Sequence, residues 1–407
     1  MRFDRYYPFL DQLVTSGGNF LTIALCARVL SIEEQGKVGF LFIAYVAIVM
    51  IGSVSIYQHA SIQAPRLSSS QNKLYFACLL MICILLVFGM ALLLVIVAPF
   101  IAELVSWDII SVEVAYLVAY LALQQMADFL RRTSYIFKAS SNALLISGIT
   151  YLPRIILLVV LSLHSFVDVL YILIISSLPA AGVFVYEVII HKSYLCRGVR
   201  LYGRRHIKSS CWLILSGPLT WLWAYIPVFV LGRIEGLSSV AVLASVRSVS
   251  NVGNTLMEVL ETSIAAKAGV RQAIHPRAMK AFLKAVSRFG FLLWGVGLLF
   301  LLFLGKEVIL LTIGRQYSEF HSLLLLLWCV VGVTFMFRVH GLKVRTEGRS
   351  AIVTAGFAVS TISVIVASPF YVAQYGVYGV AVTLIIGAFI NLFSQLVISK
   401  WWVRAIT

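Results

Sequence analysis

The sequence predicts an all-α, polytopic membrane protein with twelve transmembrane helices in two six-helix bundles around a central cavity. Three observations lead there. Of the 407 residues, 61% are hydrophobic and only 12% charged, with a mean hydropathy of +0.98; soluble domains carry about 25% charge. Twelve apolar runs are each long enough to cross a hydrocarbon layer about 30 Å thick, which takes roughly 20 helical residues. Lysine and arginine also crowd onto alternate loops, as they do in cytoplasmic loops.

The runs fall at 9–30, 38–62, 74–101, 111–130, 142–163, 167–190, 210–232, 238–262, 286–305, 320–340, 351–372 and 377–399. Span 1 begins behind a charged head, MRFDRYY, and has the outline of a signal peptide. Its body is about 20 residues long and interrupted by polar groups, too long for a cleaved apolar core, so it is read as a retained helix. One face of it carries Gln12, Thr15, Asn19, Thr22 and Cys26 between Asp11 and Arg28. Its TSGGNF stretch reads as close helix packing. Span 4 ends in Tyr116, Tyr120, Gln124 and Asp128, four residues apart. Span 5 has Arg154 directly behind Pro153, and span 6 carries Glu187. Span 7, SGPLTWLWAYIPVFVLG, contains Pro218 and Pro227 and is expected to bend.

Twenty-five of the 32 lysines and arginines belong to the two termini, the alternate loops between them and the adjoining helix ends. Loops 191–209 and 263–285 hold the largest shares. The other side holds Glu33, Glu34, Glu103, Asp108, Glu113, Asp168, Glu235, Glu307 and Glu319. Both termini are therefore expected in the cytoplasm. The net charge of +16 is a topology signal first, with contact to anionic lipid headgroups as a second role; nucleic acid is not an expected partner. None of the six cysteines lies in an outward loop, so no disulfide framework is indicated. No GxxxxGK[ST] phosphate loop occurs, so ATP is not the direct energy source. No cofactor and no metal are expected.

Six spans lie on each side of the most basic loop, dividing the chain at 1–200 and 201–407. Laying residue n on n + 205 puts CARVLSIEEQGKVG (26–39) over LGRIEGLSSVAVLA (231–244), with Arg28 on Arg233, Ser31 on Gly236 and Gly36 on Ala241. Six spans per half give both halves one orientation, hence a pseudo-two-fold axis along the membrane normal. Arg28 and Arg233 are read as interfacial and snorkelling.

Span 8 is the most polar. At 100° per residue, Arg247, Asn251, Asn254, Glu258 and Glu261 fall within about 80° of one another, opposite Val246, Val249, Leu256, Val259 and Leu260. The stripe is about 21 Å long. A guanidinium near mid-membrane faces a bundle interior or a wet cavity, and five polar positions in register fit a water-accessible lumen better than one buried ion pair. Arg247, Asn251, Asn254, Glu258, Glu261, Arg154, Asn19 and Gln124 are accordingly the candidate lumen and substrate-binding residues. Asp11, Asp128 and Glu187 are candidates for ion coupling, with pairing to the basic loops the alternative for Asp128 and Glu187. A cationic centre in a low dielectric suits an anionic passenger, and arginine matches phosphate oxygens in two-point contact.

The segment FLDQLVTSGGNFLTIALCARVLSIEEQGKVGFLFIAYVAIVM (9–50) resembles the first two helices of polysaccharide (O-antigen) flippases of the multidrug/oligosaccharidyl-lipid/polysaccharide superfamily. The similar elements are small polar residues in the first span, Ala27–Arg28, the acidic turn Glu33–Glu34, and Gly36. The six-plus-six layout and kinked seventh helix extend the likeness along the chain. The resemblance implies a V-shaped alternating-access transporter in a bacterial inner membrane. It would move an undecaprenyl-pyrophosphate-linked oligosaccharide to the outer leaflet for lipopolysaccharide and other surface polysaccharide synthesis, alongside other polysaccharide-assembly proteins. It also implies an eighth-helix arginine in a cationic lumen, matched by Arg247. Many relatives carry a carboxylate in the seventh span; 210–232 has none.

Three other classes fit less well. A multidrug exporter of the same fold takes mostly cationic passengers, which Arg247 disfavours. The charged, glycine-bearing signature of major-facilitator transporters is missing from QAPRLSSSQNK. A membrane glycosyltransferase or polymerase would place acidic groups in a large outer loop, and the longest here, 306–319, holds only Glu307 and Glu319. A transporter, not an enzyme, is the expectation.

Overall fold

The computed structural model describes residues 6–64, 67–104, 111–137, 139–161, 165–274, 276–347 and 349–404. Over 258–274 and 276–280, and at a few single positions, it describes the backbone alone. The described elements are helical throughout: α1 (Tyr7–Val29), α2 (Ile32–Gly52), α3 (Gln58–Gln63), α4 (Ser69–Leu104), α5 (Ser111–Ile136), α6 (Ser140–Val160), α7 (Phe166–Gly198), α8 (Arg204–Glu235), α9 (Leu237–Ile274), α10 (Pro276–Thr312), α11 (His321–Thr346) and α12 (Ser350–Arg404). Wider π turns at Ser53–Tyr57 and Val199–Gly203 join α2 to α3 and α7 to α8.

Among the described residues, eight helical stretches are long and apolar enough to cross a membrane. The chain is a multi-pass membrane protein. The last stretch covers α12, whose 55 residues are broken at Gly376, between the runs read at 351–372 and 377–399. At φ 54°, ψ −130°, this backbone is open to glycine and costly for anything else. A Cβ here would also meet the Glu235 carboxylate. α1, α5 and α9 are not among the eight. They coincide with the runs at 9–30, 111–130 and 238–262, and their polar side chains lower their hydropathy.

Two compact units form, Met1–Pro218 and Leu219–Thr407; the sequence reading drew its boundary upstream, at 200/201. That position lies inside the π turn of a run that stays helical from Phe166 to Glu235. α8 continues through Pro218 and Pro227 as one helix. Ser31 caps α2 by accepting from the Glu34 N–H (3.3 Å), and Gly236 (φ 82°) joins α8 to α9.

In unit 1, α1 packs on α6, and α5 on α6 and α7. Gly18 makes the first contact close: a Cβ there would sit 2.5 Å from the Tyr151 ring, so TSGGNF is a packing element, as its small residues imply. Unit 2 is fastened by tryptophans. The Trp294 indole N–H donates to the Trp328 carbonyl (2.9 Å), and the Trp328 indole N–H donates to the Trp294 carbonyl (3.0 Å). Gly253 and Gly297 clear space for Trp328, and Gly332 does so for Trp294.

Candidate functional site

The polar stripe lies on α9 of unit 2. Arg247 is half-buried, Asn251 exposed and Asn254 intermediate, whereas Val246 and Val249 are buried. The helix therefore turns its described polar edge outward and its valines into the unit. The side chains of Leu256, Glu258, Val259, Leu260 and Glu261 lie outside the described residues. Arg247 is held by two neutral groups of α8: it donates from Nη1 to the Ala224 carbonyl (3.3 Å), and its guanidinium sits 4.6 Å from the centroid of the Tyr225 ring. Such a cation–ring contact is worth about 0.5–2 kcal/mol, depending on exposure. Asn254 donates to Asn251 (3.1 Å). No carboxylate among the described residues pairs with Arg247.

Tyr225 belongs to a line the sequence reading missed. Trp221, Tyr225 and Phe229 recur every four residues on α8, all half-exposed. Ring centroids are 6.0 Å apart for Trp221–Tyr225 and 5.8 Å for Trp221–Phe229. The signal is present in WLWAYIPVF (221–229), whose Pro227, with Pro218 upstream, points to bending instead. This edge of unit 2 thus combines a guanidinium, two amides and an aromatic strip. It can engage an anionic group and an apolar or sugar-like face side by side.

The candidates in unit 1 are packed inside it. Asp11 (α1) accepts from Arg131 Nη1 (2.9 Å) and from the Ser147 hydroxyl. Asp128 (α5) accepts from Arg131 Nη2 (2.8 Å) and pairs with Arg132 Nε (2.8 Å). Arg131, read as a loop residue after a span ending at 130, is the hub. α5 continues to Ile136 because its two arginines are neutralised where they stand. The span 1 face is mostly packing: Thr15 and the Ser147 hydroxyl are 3.1 Å apart, Thr22 is bonded to the Gly18 carbonyl (2.7 Å), and Cys26 is buried. Asn19 is half-buried. Gln124 accepts from Arg154 Nη2 (2.7 Å) and donates to the Tyr151 hydroxyl (3.3 Å). Arg154 is fully buried. Glu187 lies 3.3 Å from His191 Nδ1, one turn further along α7. The structure thus gathers Asp11, Gln124, Asp128 and Arg154 in unit 1 and sets Arg247, Asn251 and Asn254 on an edge of unit 2. Among the described residues, no cluster of three or more His, Cys, Asp or Glu has the makings of a metal site.

If the α9 edge borders water within the membrane, cysteines placed singly at 247, 251 and 254 in a cysteine-free background will react with a membrane-impermeant thiol reagent. Cysteines at 246 and 249 will stay protected. Equal labelling on both faces would remove the lumen.

A polysaccharide biosynthesis protein family model matches residues 6–264, from the start of α1 into α9. No curated protein matches the chain. Among solved structures, an inward-facing multidrug resistance MATE transporter of the MOP superfamily is similar at a TM-score of 0.75, with 12% identity over 97% of this chain and 95% of that one. An outward-facing multidrug resistance MATE transporter of the MOP superfamily matches at 0.70 and 16% identity, covering 99% of this chain and 95% of that one. The lipid II flippase MurJ in an inward closed conformation also matches at 0.70, with 13% identity over 98% and 88%. At these identities the structures report a shared fold. On the family match over most of its length, together with that fold, the chain belongs to the polysaccharide biosynthesis protein family.

Proposed function

We propose that this protein is a flippase for a lipid-linked oligosaccharide: an undecaprenyl-pyrophosphate-linked repeat unit of O-antigen type, carried from the inner to the outer leaflet of a bacterial inner membrane. Arg247 is the observation on which this rests. Its guanidinium stands on a half-exposed edge with a carbonyl and a ring for partners and, among the described residues, no carboxylate, which leaves its fork open to phosphate oxygens. Asn251 and Asn254 offer amides to the same passenger, and Trp221, Tyr225 and Phe229 offer faces on which a sugar ring can pack. Glu258 and Glu261 belong to the cytoplasmic end of the stripe in this reading, with both termini cytoplasmic. Asp11, Asp128 and Glu187 are the coupling candidates. Arg131 holds the first two, so coupling through them requires that grip to loosen, while Glu187 is the most open. Membrane lipids and other polysaccharide-assembly proteins are the partners, and transport is driven without chemistry on the passenger.

Export of drugs is the second reading, favoured by the fold likeness to MATE transporters. A deletion strain separates the two. Under the flippase reading it loses surface polysaccharide and accumulates lipid-linked precursor on the inner leaflet, and the full chain restores both. Unchanged polysaccharide with raised sensitivity to cationic dyes would replace this reading with the exporter.

A further inference from the structure

Where α7 passes into α8, unit 1 is pinned by an imidazole. His206, in the first turn of α8, is buried. Its Nε2 lies 2.7 Å from the carbonyl of Ser55, within the π turn that follows α2. Its Nδ1 lies 2.9 Å from the hydroxyl of Tyr75 on α4. The ring of His59 on α3 stands edge-on to it, with centroids 5.1 Å apart. Segments far apart in the chain therefore meet on one side chain. They meet where the helical ladder is least regular, because the π turns Ser53–Tyr57 and Val199–Gly203 both end within a few residues of the junction. Such turns are rare and recur at functional positions. Gly198 lets the end of α7 lie directly on the Leu74 carbonyl, where a Cβ would collide.

The hydrogen bonds admit one form of the ring. A carbonyl only accepts, so Nε2 carries the hydrogen, Nδ1 is a bare acceptor, and the Tyr75 hydroxyl donates to it. A second proton would enter on Nδ1, facing a hydroxyl that already donates there. That hydroxyl would have to swing its hydrogen away, into a pocket walled by the Tyr202 ring. The new cation would also lack a counter-charge. Its titratable and charged neighbours are His59 from α3, Tyr75 and Cys78 from α4, and Tyr202 and Arg205 from its own helical run. The π turn offers a neutral carbonyl, and among the described residues no carboxylate joins them.

We propose that His206 is the pin of a proton-operated latch: neutral, it fastens the root of α8 to α4 and to the turn after α2; protonated, it lets go. Imidazole is the side chain whose ordinary titration falls between about pH 5 and 8. The fold holds the neutral form. The latch therefore contributes fully above about pH 6.5, and that contribution is lost as pH falls below it. The junction lies on the side read as cytoplasmic, which makes acidification of the cytoplasm the signal. The latch works the same way whatever the passenger is.

The test uses the purified full-length protein at about pH 7.5 and about pH 5.5, on either side of the ordinary imidazole titration. Thermal melting is measured together with amide hydrogen exchange corrected for the effect of pH on the chemical rate. One pH unit below the titration point the latch is weakened about ten-fold. The wild type is thus expected to melt roughly 2–4 °C lower in acid, with exchange over 53–60 and 199–210 about ten-fold faster. His206→Gln keeps an N–H donor for the Ser55 carbonyl and has nothing to titrate, so most of both acid effects should vanish. Tyr75→Phe removes the donor that the neutral ring needs and should shrink them as well. Exchange in these two segments that ignores acid in the wild type overturns the proposal. So does an undiminished acid response in His206→Gln or, should that variant not fold, in Tyr75→Phe.

Discussion

Under the flippase reading, Arg247→Glu is expected to abolish transport: surface polysaccharide should disappear and lipid-linked precursor build up on the cytoplasmic leaflet, with the protein still in the membrane at its normal level. The sign follows from charge. A diphosphate carries about two negative charges, and in a partly desolvated site the interaction is several-fold stronger than in water. Reversing the partner turns attraction into repulsion of similar size. Arg247→Ala removes the contact alone. Truncating a charge that holds its ligand by hydrogen bonds costs about 2–5 kcal/mol, and about 1.4 kcal/mol is a factor of ten. The alanine variant is therefore expected to transport between about thirty- and several thousand-fold more slowly. Arg247→Lys keeps the charge but loses the planar fork and the flat stack on Tyr225, so it should fall between alanine and wild type. Stability should hardly move in any of the three, because Arg247 is half-exposed and its partners among the described residues are neutral. Normal surface polysaccharide in the glutamate variant would show that this edge does not meet the passenger.

Arg131→Ala produces the opposite phenotype, with loss of the folded protein itself. Arg131 is buried and bonded to two carboxylates contributed by different helices, Asp11 on α1 and Asp128 on α5. Without it, Asp128 keeps Arg132, but Asp11 keeps, among the described residues, neutral partners such as the Ser147 hydroxyl. Removing one partner of a buried charge pair destabilises by about 3–5 kcal/mol, because the other charge is left uncompensated. Detergent-solubilised Arg131→Ala should melt well below the wild type and accumulate poorly in membranes. Adding Asp11→Asn removes the stranded charge and should restore part of the loss, a non-additivity that reports direct coupling. If the single variant melted like the wild type, the cluster would have to be hydrated and worth little.

The helical, membrane-spanning architecture was legible because lipid imposes a crude requirement: long apolar runs and positive loops on one side. The break at Gly376 was equally plain, since the hydropathy dips between 372 and 377. What the sequence obscured was pairing across helices. Read along the chain, Arg131 and Arg132 look like the start of a polar loop; in the fold, they meet carboxylates and α5 runs on through them. Asp11 and Asp128 look available for ion coupling, yet each is already engaged. Arg154 behind Pro153 was visible as a deep cation, but its surroundings come from α5, α6 and α7, and no local pattern announces three helices converging. Arg247 was found because its stripe is local to one helix. Its ring partner Tyr225, on the preceding helix, was not.

The tryptophan pair of unit 2 has a mechanical meaning. Each indole of Trp294 and Trp328 donates to the other residue's carbonyl, so the link between α10 and α11 is double and self-complementary, like two hooks closed on each other. Axial slip by one turn, about 5.4 Å, or rotation of either rod would unhook both donors together, and Gly297 and Gly332 leave room for the indoles where they stand. α10 and α11 should therefore travel as one beam during any rearrangement of unit 2, leaving the bending to be absorbed by other helices.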